Sequence, residues 1–343
     1  MPTFRRTTES YSPGARTMPG ERYAAPAILA QEKERIFARH WHCVGRASAF
    51  LKPGDYRLRS IADESLIVVR DRAGELHAFF NVCRHRGTRL CTEARGQLSE
   101  TIQCPYHAWT YALDGRLIGA PHMQDAPGFE KKDYPLHEAA VAEWEGFVFV
   151  NIAREPQPFA EWFAPMLRRL ARFDLPSLKV GHSARYEVKA NWKLVFQNYS
   201  ECLHCPTIHP ELSVVLPYQS GANDLIAGPF LGGYMEIRPP HDSATLTGRS
   251  CGRLLTDHLA GDDVRRAYYY TFMPNMALSI HPDYVNYYLI TPVAVDLTIV
   301  ETEWMFNPAN EGNPSFNPSD AIDFWDITNR QDWDICERVL RGR

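Results

Sequence analysis

Residues 191–213 read NWKLVFQNYSECLHCPTIHPELS, a segment that joins a helical pattern to two histidines and a carboxylate. Its side chains Trp192, Val195, Phe196 and Tyr199 recur at the spacing of one apolar face of an amphipathic helix. We therefore predict a helix that turns this stripe toward a core. The fold of the C-terminal half is expected to form around this segment.

The same segment carries half of a candidate metal site. Asn198, Glu201 and His204 follow one another at steps of three residues, so we expect them along one side of the helix. Pro206 has no amide proton and disfavours a helical residue before it, so the helix should end or kink there and let His209 approach. Two neutral imidazoles suit iron, zinc, copper or nickel, and a carboxylate as third ligand suits ferrous iron. Two ordinary histidines, one at a helix end and one in a loop, remain the alternative at this point.

The composition is that of a soluble globular protein long enough for two domains. The chain has 343 residues, of which 45% are hydrophobic and 23% charged, and a formal net charge of -4. This charge, without a concentrated basic run, argues against nucleic-acid binding. No window approaches the roughly 20 apolar residues of a membrane span, and the N-terminus lacks the apolar core of a secretory signal. We therefore expect a cytoplasmic protein whose eight cysteines are thiols or metal ligands rather than disulfides.

Turn residues and apolar periodicity predict an α+β chain of two domains. Residues 1–41 are expected to form an extended arm and a helix that packs on the C-terminal domain. Between residues 42 and 153, short apolar runs separated by Gly, Pro and Asp turns predict an all-β domain. Residues 154–343 are expected to form an antiparallel sheet covered by helices. The expected elements are helical segments over 27–41, 156–173 and 319–340, a loop region over 217–250, and strands over 268–280, 284–292 and 297–306.

Two short motifs inside the all-β domain carry a second set of metal-ligand residues. Cys83 and His85 lie in one motif, and Cys104 and His107 lie in the other. Each would offer one thiolate and one imidazole, the ligand set of a [2Fe-2S] centre in which two histidines replace two cysteines on one iron. The alternative is a Cys2His2 zinc site, but zinc modules usually have C-x-x-C and H-x3-5-H spacing, which these two motifs lack. The spacing therefore favours the iron-sulfur cluster.

These motifs resemble a known family. CRHRG at 83–87 and CPYHAW at 104–109 are similar to the cluster loops of the Rieske ferredoxin fold, although Ala108 stands where many relatives have glycine. A Rieske domain followed by NYSECLHCPTIH at 198–209 resembles the oxygenase component of the Rieske non-haem iron oxygenases. The resemblance spans nearly the whole chain. The family pattern of the mononuclear iron site is matched at Asn198, Tyr199, Glu201, His204 and His209.

The third iron ligand is expected on the closing helix. At about 100° per residue, Trp325, Thr328 and Cys336 lie within about 60° of Asp332 on the inward face. The other carboxylates of the helix lie at least about 120° away: Asp320, Asp323, Asp326, Asp334 and Glu337. Metal coordination is one of the few arrangements that compensate a buried carboxylate, and an ion pair with a buried Arg or Lys is the alternative. The family pattern of an acidic residue five positions before a glutamate also selects Asp332.

The resemblance implies two cofactors and several partners. The residues assigned to the Rieske [2Fe-2S] cluster are Cys83, His85, Cys104 and His107, and those assigned to mononuclear Fe(II) are His204, His209 and Asp332. Asn198 and Glu201 are assigned to the catalytic machinery. Because the chain has no GxGxxG fingerprint, we expect a separate NAD(P)H-dependent reductase, with or without a ferredoxin domain, to supply the electrons that O2 activation needs. The resemblance also implies a head-to-tail homotrimer in which Glu201 links His204 to the His107 of a neighbouring copy.

The leading functional hypothesis is hydroxylation or N-demethylation of a quaternary ammonium compound. Glu201 with its neighbours Cys202 and Cys205 looks like the family branch that acts on choline, carnitine and betaines. The alternative enzyme is a dioxygenase or demethylase of an aromatic compound, and a Rieske electron carrier without catalysis is a further alternative. Aromatic side chains that would enclose an ammonium group are sought among Tyr268, Tyr269, Tyr270, Phe272, Tyr284, Tyr287, Tyr288 and Trp304.

Overall fold

The computed structural model describes residues 4–6, 14 and 16–342, and for residues 4–6 it describes only the backbone. Most of the predicted N-terminal arm lies outside the described residues. The chain divides into two compact units, the first formed by Met1–Ala30 with Phe159–Arg343 and the second by Gln31–Pro158. Residues 31–41, expected to pack on the C-terminal domain, group with the second unit. The predicted domain bounds at 41 and 153 stay a prediction.

The elements are numbered in chain order. The strands are β1 Phe4–Arg6, β2 His42–Arg46, β3 Asp55–Ile61, β4 Glu64–Arg70, β5 Leu76–Phe80, β6 Arg95–Gln97, β7 Thr101–Gln103, β8 Thr110–Ala112, β9 Leu117–Gly119, β10 Glu138–Trp144, β11 Phe147–Asn151, β12 Lys179–Val188, β13 Ala222–Asp224, β14 Phe230–Glu236, β15 Arg266–Phe272, β16 Met276–Ile280, β17 Tyr284–Ala294 and β18 Leu297–Phe306. The helices are α1 Glu21–Ala24, α2 Pro26–Glu32, α3 Phe159–Trp162, α4 Trp192–Tyr199, α5 Cys205–Ile208, α6 Pro210–Val215 and α7 Pro318–Arg341.

The second unit is built from antiparallel sheets, as predicted. One sheet has the strand order β2-β11-β10-β5-β4-β3-β6, and a smaller sheet has the order β7-β8-β9. Strand β4 lies inside the larger sheet, and its residues 66–69 are fully buried. The segments that follow β5 and β7 carry Cys83 and Cys104, and both cysteines belong to the core between the sheets. The fold therefore brings the two cysteine and histidine motifs onto a common core.

The first unit is an antiparallel sheet covered by helices, which confirms the predicted fold class. Its described strands follow the order β1-β13-β14-β15-β16-β17-β18-β12. Helix α4 packs against α7 and against β17, and α7 also packs against β12. The sheet buries large rings completely, among them Trp304, Tyr288 and Tyr270, and each such burial contributes roughly 1.5–3 kcal/mol to folding. Within the described residues, no helix combines the length and apolar character needed to cross a membrane.

The segment 191–213 is less helical than the sequence predicts. Helix α4 begins after Asn191, whose side chain accepts a hydrogen bond from the Lys193 amide at 3.1 Å, but it ends at Tyr199. Glu201 and His204 therefore lie in an irregular segment rather than on the helix. Pro206 does not end a helix, because it lies in the first turn of α5, where its missing amide proton costs nothing. The convergence of the two histidines is thus achieved by a break that comes earlier than expected.

Three further element predictions are wrong. The region 156–173 is α-helical only over α3, because Pro165 interrupts the helical pattern. The region 217–250, expected to be a loop, contains β13 and β14. Strand β14 escaped notice because it contains Gly232, where a Cβ would collide with the ring of Tyr270 on the neighbouring strand β15. The strand expected over 268–280 is split into β15 and β16 by a turn.

Candidate metal centres and substrate cavity

Three side chains from separate elements converge in the first unit. His204 immediately precedes α5, His209 lies between α5 and α6, and Asp332 projects from α7. Asp332 Oδ1 lies 2.8 Å from His209 Nε2 and 3.3 Å from His204 Nε2. His209 is 1% exposed, and the side chains of His204 and Asp332 are 17% and 16% exposed. The structure thus brings together the three residues that the sequence assigns to a mononuclear metal.

These distances fit a single metal ion. Ligand atoms about 2.1 Å from a common centre and about 90° apart lie about 3.0 Å from one another, which is the spacing seen here. The donor set of two imidazoles and one carboxylate suits ferrous iron. The alternative partner for Asp332, a buried Arg or Lys, is not found among its described ion pairs, which are both with histidine.

Each histidine is held by a second hydrogen bond that aims its Nε2 atom. Glu201 Oε1 lies 2.7 Å from His204 Nδ1, and the other carboxylate oxygen accepts from the Leu203 amide at 2.5 Å. Gln331 Oε1 lies 2.7 Å from His209 Nδ1. When Nδ1–H donates a hydrogen bond to an oxygen, the neutral imidazole keeps its lone pair on Nε2, where it can bind a metal. Sequence reasoning missed Gln331, although it directly precedes Asp332 on α7.

The protonation states of His204, Asp332 and Glu201 depend on one another. Burial alone would lower the pKa of His204, but hydrogen bonds and attraction from Asp332 and Glu201 raise it to about 9. Burial would raise the pKa of Asp332, and hydrogen bonds from His204 and His209 lower it below its ordinary value. Burial would also raise the pKa of Glu201, but the hydrogen bond and attraction from His204 together with backbone hydrogen bonds from Leu203 and His204 lower it. The site is therefore arranged to hold positive charge.

The helical projection predicted that Asp332 would be the only inward-facing carboxylate of α7. Asp320 contradicts this prediction. Asp320 is only 8% exposed. Its carboxylate accepts hydrogen bonds from the amide and the hydroxyl of Thr247, at 3.0 and 2.5 Å. The projection failed there because a polar loop, rather than solvent, covers the first turn of α7. Asp334 is more than half exposed and pairs with Arg338, as the helical phase predicts.

The expectation that all cysteines are thiols or metal ligands is wrong for one pair. Cys202 and Cys205 form a disulfide on either side of His204. The described free cysteines, all buried, are Cys43, Cys83, Cys91, Cys104, Cys251 and Cys336. The error came from the expected cellular compartment, whereas the spacing of the pair is short enough for a local disulfide.

A cavity of about 280 Å³ opens beside the three convergent side chains. This volume is close to the lower end of the range for small-ligand pockets, about 300 Å³. Asn198 lines it and brings its amide nitrogen 3.5 Å from His204 Nε2. Among the described lining residues, Glu201 and Asp332 are carboxylates and none is a lysine or arginine. The described lining therefore offers an anion no lysine or arginine, whereas both carboxylates are already engaged with histidines.

Aromatic rings form part of the cavity wall. Tyr199, Tyr269 and Trp325 all line it, and the Tyr269 ring lies 6.4 Å from that of Tyr199 and 6.3 Å from that of Trp325. Tyr269 was on the predicted list of cage residues, and the other seven candidates lie outside the cavity lining. Trp325 was not on that list, although its position on the same face of α7 as Asp332 indicated that it would lie near the metal site.

The second unit contains two matching turns around the cluster motifs. In each turn the cysteine amide donates to the carbonyl five residues later: Cys83 to Thr88 and Cys104 to Trp109, both at 2.8 Å. In each, the amide four residues after the cysteine donates back to the cysteine carbonyl, from Gly87 at 3.0 Å and Ala108 at 3.1 Å. Both of these residues have positive φ, a backbone conformation that favours glycine, so Ala108 adopts it at a steric cost.

The paired turns place sulfur inside and imidazole outside. Cys83 and Cys104 are each 3% exposed, whereas His85 and His107 are exposed, with ring centroids 4.7 Å apart. Two buried thiolates beside two surface imidazoles fit a cluster whose histidine-bound iron faces outward. Tyr111, which sequence reasoning missed, places its hydroxyl 3.3 Å from Cys83 Sγ and accepts from the Arg84 amide at 3.0 Å.

Comparison with known sequences gives matches over both units. The profile described as Rieske [2Fe-2S] domain matches residues 40–135, and that described as ring hydroxylating alpha subunit (catalytic domain) matches residues 175–343. The glycine betaine monooxygenase oxygenase subunit of Chromohalobacter salexigens is 31% identical, over 96% of this chain and 80% of its own length. The carnitine monooxygenase oxygenase subunit of Escherichia coli K12 is 36% identical, over 57% of this chain and 53% of its own length.

Solved structures are similar over nearly the full chain. The quaternary ammonium Rieske monooxygenase CntA in complex with L-carnitine has a TM-score of 0.77 and 26% identity, covering 95% of this chain and 85% of that one. Naphthalene 1,2-dioxygenase from Rhodococcus has a TM-score of 0.76 at 22% identity, covering 94% of this chain and 82% of that one. The second likeness shows a shared fold.

Proposed function

Because this chain belongs to the Rieske non-haem iron oxygenases, we propose that it is the terminal oxygenase of a multicomponent system and that it oxidises a quaternary ammonium compound. It uses the two cofactors of this family, a [2Fe-2S] cluster and a mononuclear iron. When bound, the cluster passes electrons singly and the ferrous iron activates O2. A separate NAD(P)H-dependent reductase, with or without a ferredoxin domain, supplies the electrons.

The ligand assignment rests on the two convergent sets of side chains. Cys83, Cys104, His85 and His107 would hold the cluster, because the matched turns present two buried sulfurs and two exposed imidazoles. His204, His209 and Asp332 would hold the iron, because their donor atoms have the spacing of adjacent ligands. Glu201 and Gln331 orient the two iron-site imidazoles through Nδ1.

One observation carries the substrate class: aromatic rings line the cavity beside the candidate iron ligands, and its described lining holds no lysine or arginine. Tyr199, Tyr269 and Trp325 line the cavity, and a trimethylammonium group against the face of one such ring would gain about 0.5–2 kcal/mol, depending on desolvation. Asp332 would share its charge with the iron and Glu201 with His204, so neither carboxylate is counted as a partner of the ammonium group. Relatives named for glycine betaine and carnitine support the same substrate class.

The reaction follows from the chemistry of such a substrate. One oxygen atom enters a C–H bond next to the ammonium nitrogen, and two electrons and two protons reduce the other oxygen atom to water. If the hydroxylated carbon is an N-methyl group, the product collapses to a tertiary amine, formaldehyde and a proton. Asn198, whose amide faces His204 Nε2 across the cavity wall, is placed to orient a polar group of the substrate.

A homotrimer is proposed for electron transfer between copies. The carboxylate of Glu201 is 44% exposed even though one oxygen binds His204, so part of it faces outward. In a head-to-tail ring, this carboxylate would accept a hydrogen bond from the exposed His107 of a neighbouring copy. Such a bridge would connect the cluster of one copy to the iron of the next.

The test is turnover with matched substrates. The protein is assayed with NADH, O2 and a generic reductase against choline, glycine betaine, carnitine, aromatic acids and the neutral tert-butyl analogue of choline. We expect coupled product formation from one or more ammonium compounds and weaker binding of the neutral analogue. Product from an aromatic acid alone would replace this proposal by the aromatic alternative.

A further inference from the structure

The disulfide between Cys202 and Cys205 encloses His204, a candidate iron ligand. Neither cysteine has a role in the function proposed above. Cys205 is 2% exposed, whereas Cys202 is half-buried, and both line the cavity. A reductant that enters the cavity would therefore reach the Cys202 sulfur first.

The Cys205 sulfur lies within the group of candidate ligand atoms. It is 3.9 Å from His204 Nε2, and the ligand atoms of His204, Cys205 and His209 all lie within 4.8 Å of one another. Asp332 Oδ1 lies 2.8 Å from His209 Nε2 and 3.3 Å from His204 Nε2. While it is bonded to Cys202, this sulfur carries no charge and is a poor donor. As a thiolate it would be a strong ligand for a divalent metal.

We propose that reduction of the Cys202–Cys205 disulfide provides the catalytic metal with a fourth protein ligand, Cys205 Sγ. With the disulfide intact, the metal has His204, His209 and Asp332. With the pair reduced, Cys205 Sγ binds the same ion. The inference rests on the proposed function to the extent that it requires a metal held by these three residues.

The redox step balances with a dithiol as reductant. A thiolate of the dithiol attacks the half-buried Cys202 sulfur, the S–S bond breaks, and its electron pair remains on Cys205 Sγ. The second thiol of the reductant then attacks the mixed disulfide, which releases Cys202 and leaves the reductant as a cyclic disulfide. Cys205 is thus the leaving group, and its thiolate forms beside His204 Nε2. The dithiol loses two electrons and two protons: the protein gains both electrons, one proton goes to the Cys202 thiol, and the other goes to solvent because Cys205 stays a thiolate.

The added ligand would change which metal the site prefers. Thiolate sulfur is softer than imidazole or carboxylate and favours zinc over ferrous iron. It would also occupy one of the coordination positions that the other three ligands leave open. The pair therefore links the redox state of the surroundings to the metal content of the catalytic site.

X-ray absorption at the zinc edge tests the inference without interference from the cluster irons. The mononuclear iron is exchanged for zinc, with the cluster retained as judged by its visible absorption. Four samples are compared: the air-oxidised protein, the protein reduced with a phosphine that takes its oxygen from water, Cys202→Ser, and Cys205→Ser. Both variants remove the disulfide, but only Cys202→Ser keeps a sulfur at position 205. Asp332→Ala serves as the control for zinc at this site.

We expect one sulfur neighbour per zinc, at about 2.3 Å, in the reduced protein and in Cys202→Ser. The oxidised protein and Cys205→Ser should show only nitrogen and oxygen neighbours at about 2.0–2.2 Å. A shell without sulfur in the reduced protein and in Cys202→Ser would overturn the inference and leave the proposed function intact. Recovery of Cys202 and Cys205 as free thiols from the air-oxidised protein would also overturn it. Zinc binding that Asp332→Ala does not reduce would count against the proposed iron site itself.

Discussion

Asp332 Oδ1 lies 2.8 Å from His209 Nε2, although the two residues are separated by 123 positions in the chain. Helix α7 makes this approach possible because it packs against α4, directly upstream of the histidine segment. We predict that Asp332→Ala loses the mononuclear iron, because one of its three ligands is removed. Its turnover rate should fall by orders of magnitude. Iron analysis with the Rieske absorption spectrum as internal reference is the measurement.

The matched control is Asp334→Ala, two positions along the same helix. Its carboxylate is 54% exposed and pairs with Arg338 at the surface, an ion pair worth at most about 1 kcal/mol. Iron content and activity should stay close to those of the unaltered protein. Equal losses in the two variants would contradict the assignment of Asp332.

Glu201→Gln should separate metal binding from electron transfer. The amide oxygen still accepts from His204 Nδ1, so both metal sites are expected to stay filled. Loss of the negative charge weakens the hold on a neighbouring cluster histidine, so we expect electron transfer to the iron to slow by at least about tenfold. Stopped-flow reoxidation of the reduced cluster by O2, with substrate bound, measures this rate. Unchanged reoxidation at full iron content would remove the bridging role.

Cys104→Ser should abolish the cluster while leaving the mononuclear site filled. The unaltered protein should contain three irons and two acid-labile sulfides per chain, and the variant one iron and no sulfide, because a serine hydroxyl does not replace a cluster thiolate. Cys91→Ser is the control, since Cys91 is buried in the same core. If zinc replaced iron at Cys83 and Cys104 in the unaltered protein, the zinc-site alternative would stand.

Trp325→Leu tests the aromatic wall of the cavity. We expect the affinity for a trimethylammonium substrate to fall by about 0.5–2 kcal/mol relative to that for its tert-butyl analogue. Because Trp325 also donates to the Tyr284 hydroxyl at 2.6 Å, general destabilisation would affect both ligands alike. The ratio of the two dissociation constants, measured by calorimetry, removes that effect. A ratio that the substitution leaves unchanged would exclude Trp325 from cation binding.

His281 should make stability depend on pH. Its ring is 1% exposed and stacks on Tyr284 at 4.3 Å, and neither ring nitrogen has a hydrogen-bond partner among the described residues. Burial lowers its pKa from 6.5 to about 3, so below pH 6.5 the unfolded chain binds a proton that the folded chain does not. Unfolding free energy should therefore fall as the pH drops from 6.5 toward 3.

His281→Phe keeps the stacked ring and removes this titration. Between pH 7.5 and 5.5 the variant should lose about 1.4 kcal/mol less stability than the unaltered protein. Urea unfolding followed by tryptophan fluorescence at the two pH values gives the difference. Parallel losses in the two proteins would mean that the folded state also protonates His281.

Much of the site was predictable because its ligands lie in short motifs or on a regular helix. The spacing of Cys83, His85, Cys104 and His107 is local information, and the helical phase of Asp332 needs only the residues of α7. The irregular path from Tyr199 to Cys205 was less accessible, since its shape depends on contacts such as that of Glu201 with the Leu203 amide. Sequence reasoning extended the helix there because the apolar period gives no sign of where it ends.

Contacts between distant segments account for the other errors. Nothing near Asp320 in sequence indicates that Thr247 will cover it. Strand β14 has Gly232 where its neighbour β15 needs room for the Tyr270 ring and Gly233 against the backbone of Ala222 on β13, so its local pattern resembles a loop. The cavity lining was also hidden, because alternation along a strand shows that half of the rings face inward but not which face borders the cavity.

A single turnover of the pre-reduced protein tests the central claim most directly. Protein with full metal content is reduced, freed of reductant, and mixed with ¹⁸O2 and either a trimethylammonium substrate or an aromatic acid. The account predicts up to one labelled hydroxyl per active site in the ammonium product, or in the formaldehyde it releases before exchange with water, together with oxidation of the cluster. Labelled product from the aromatic acid alone, or cluster oxidation without any labelled product, would contradict it.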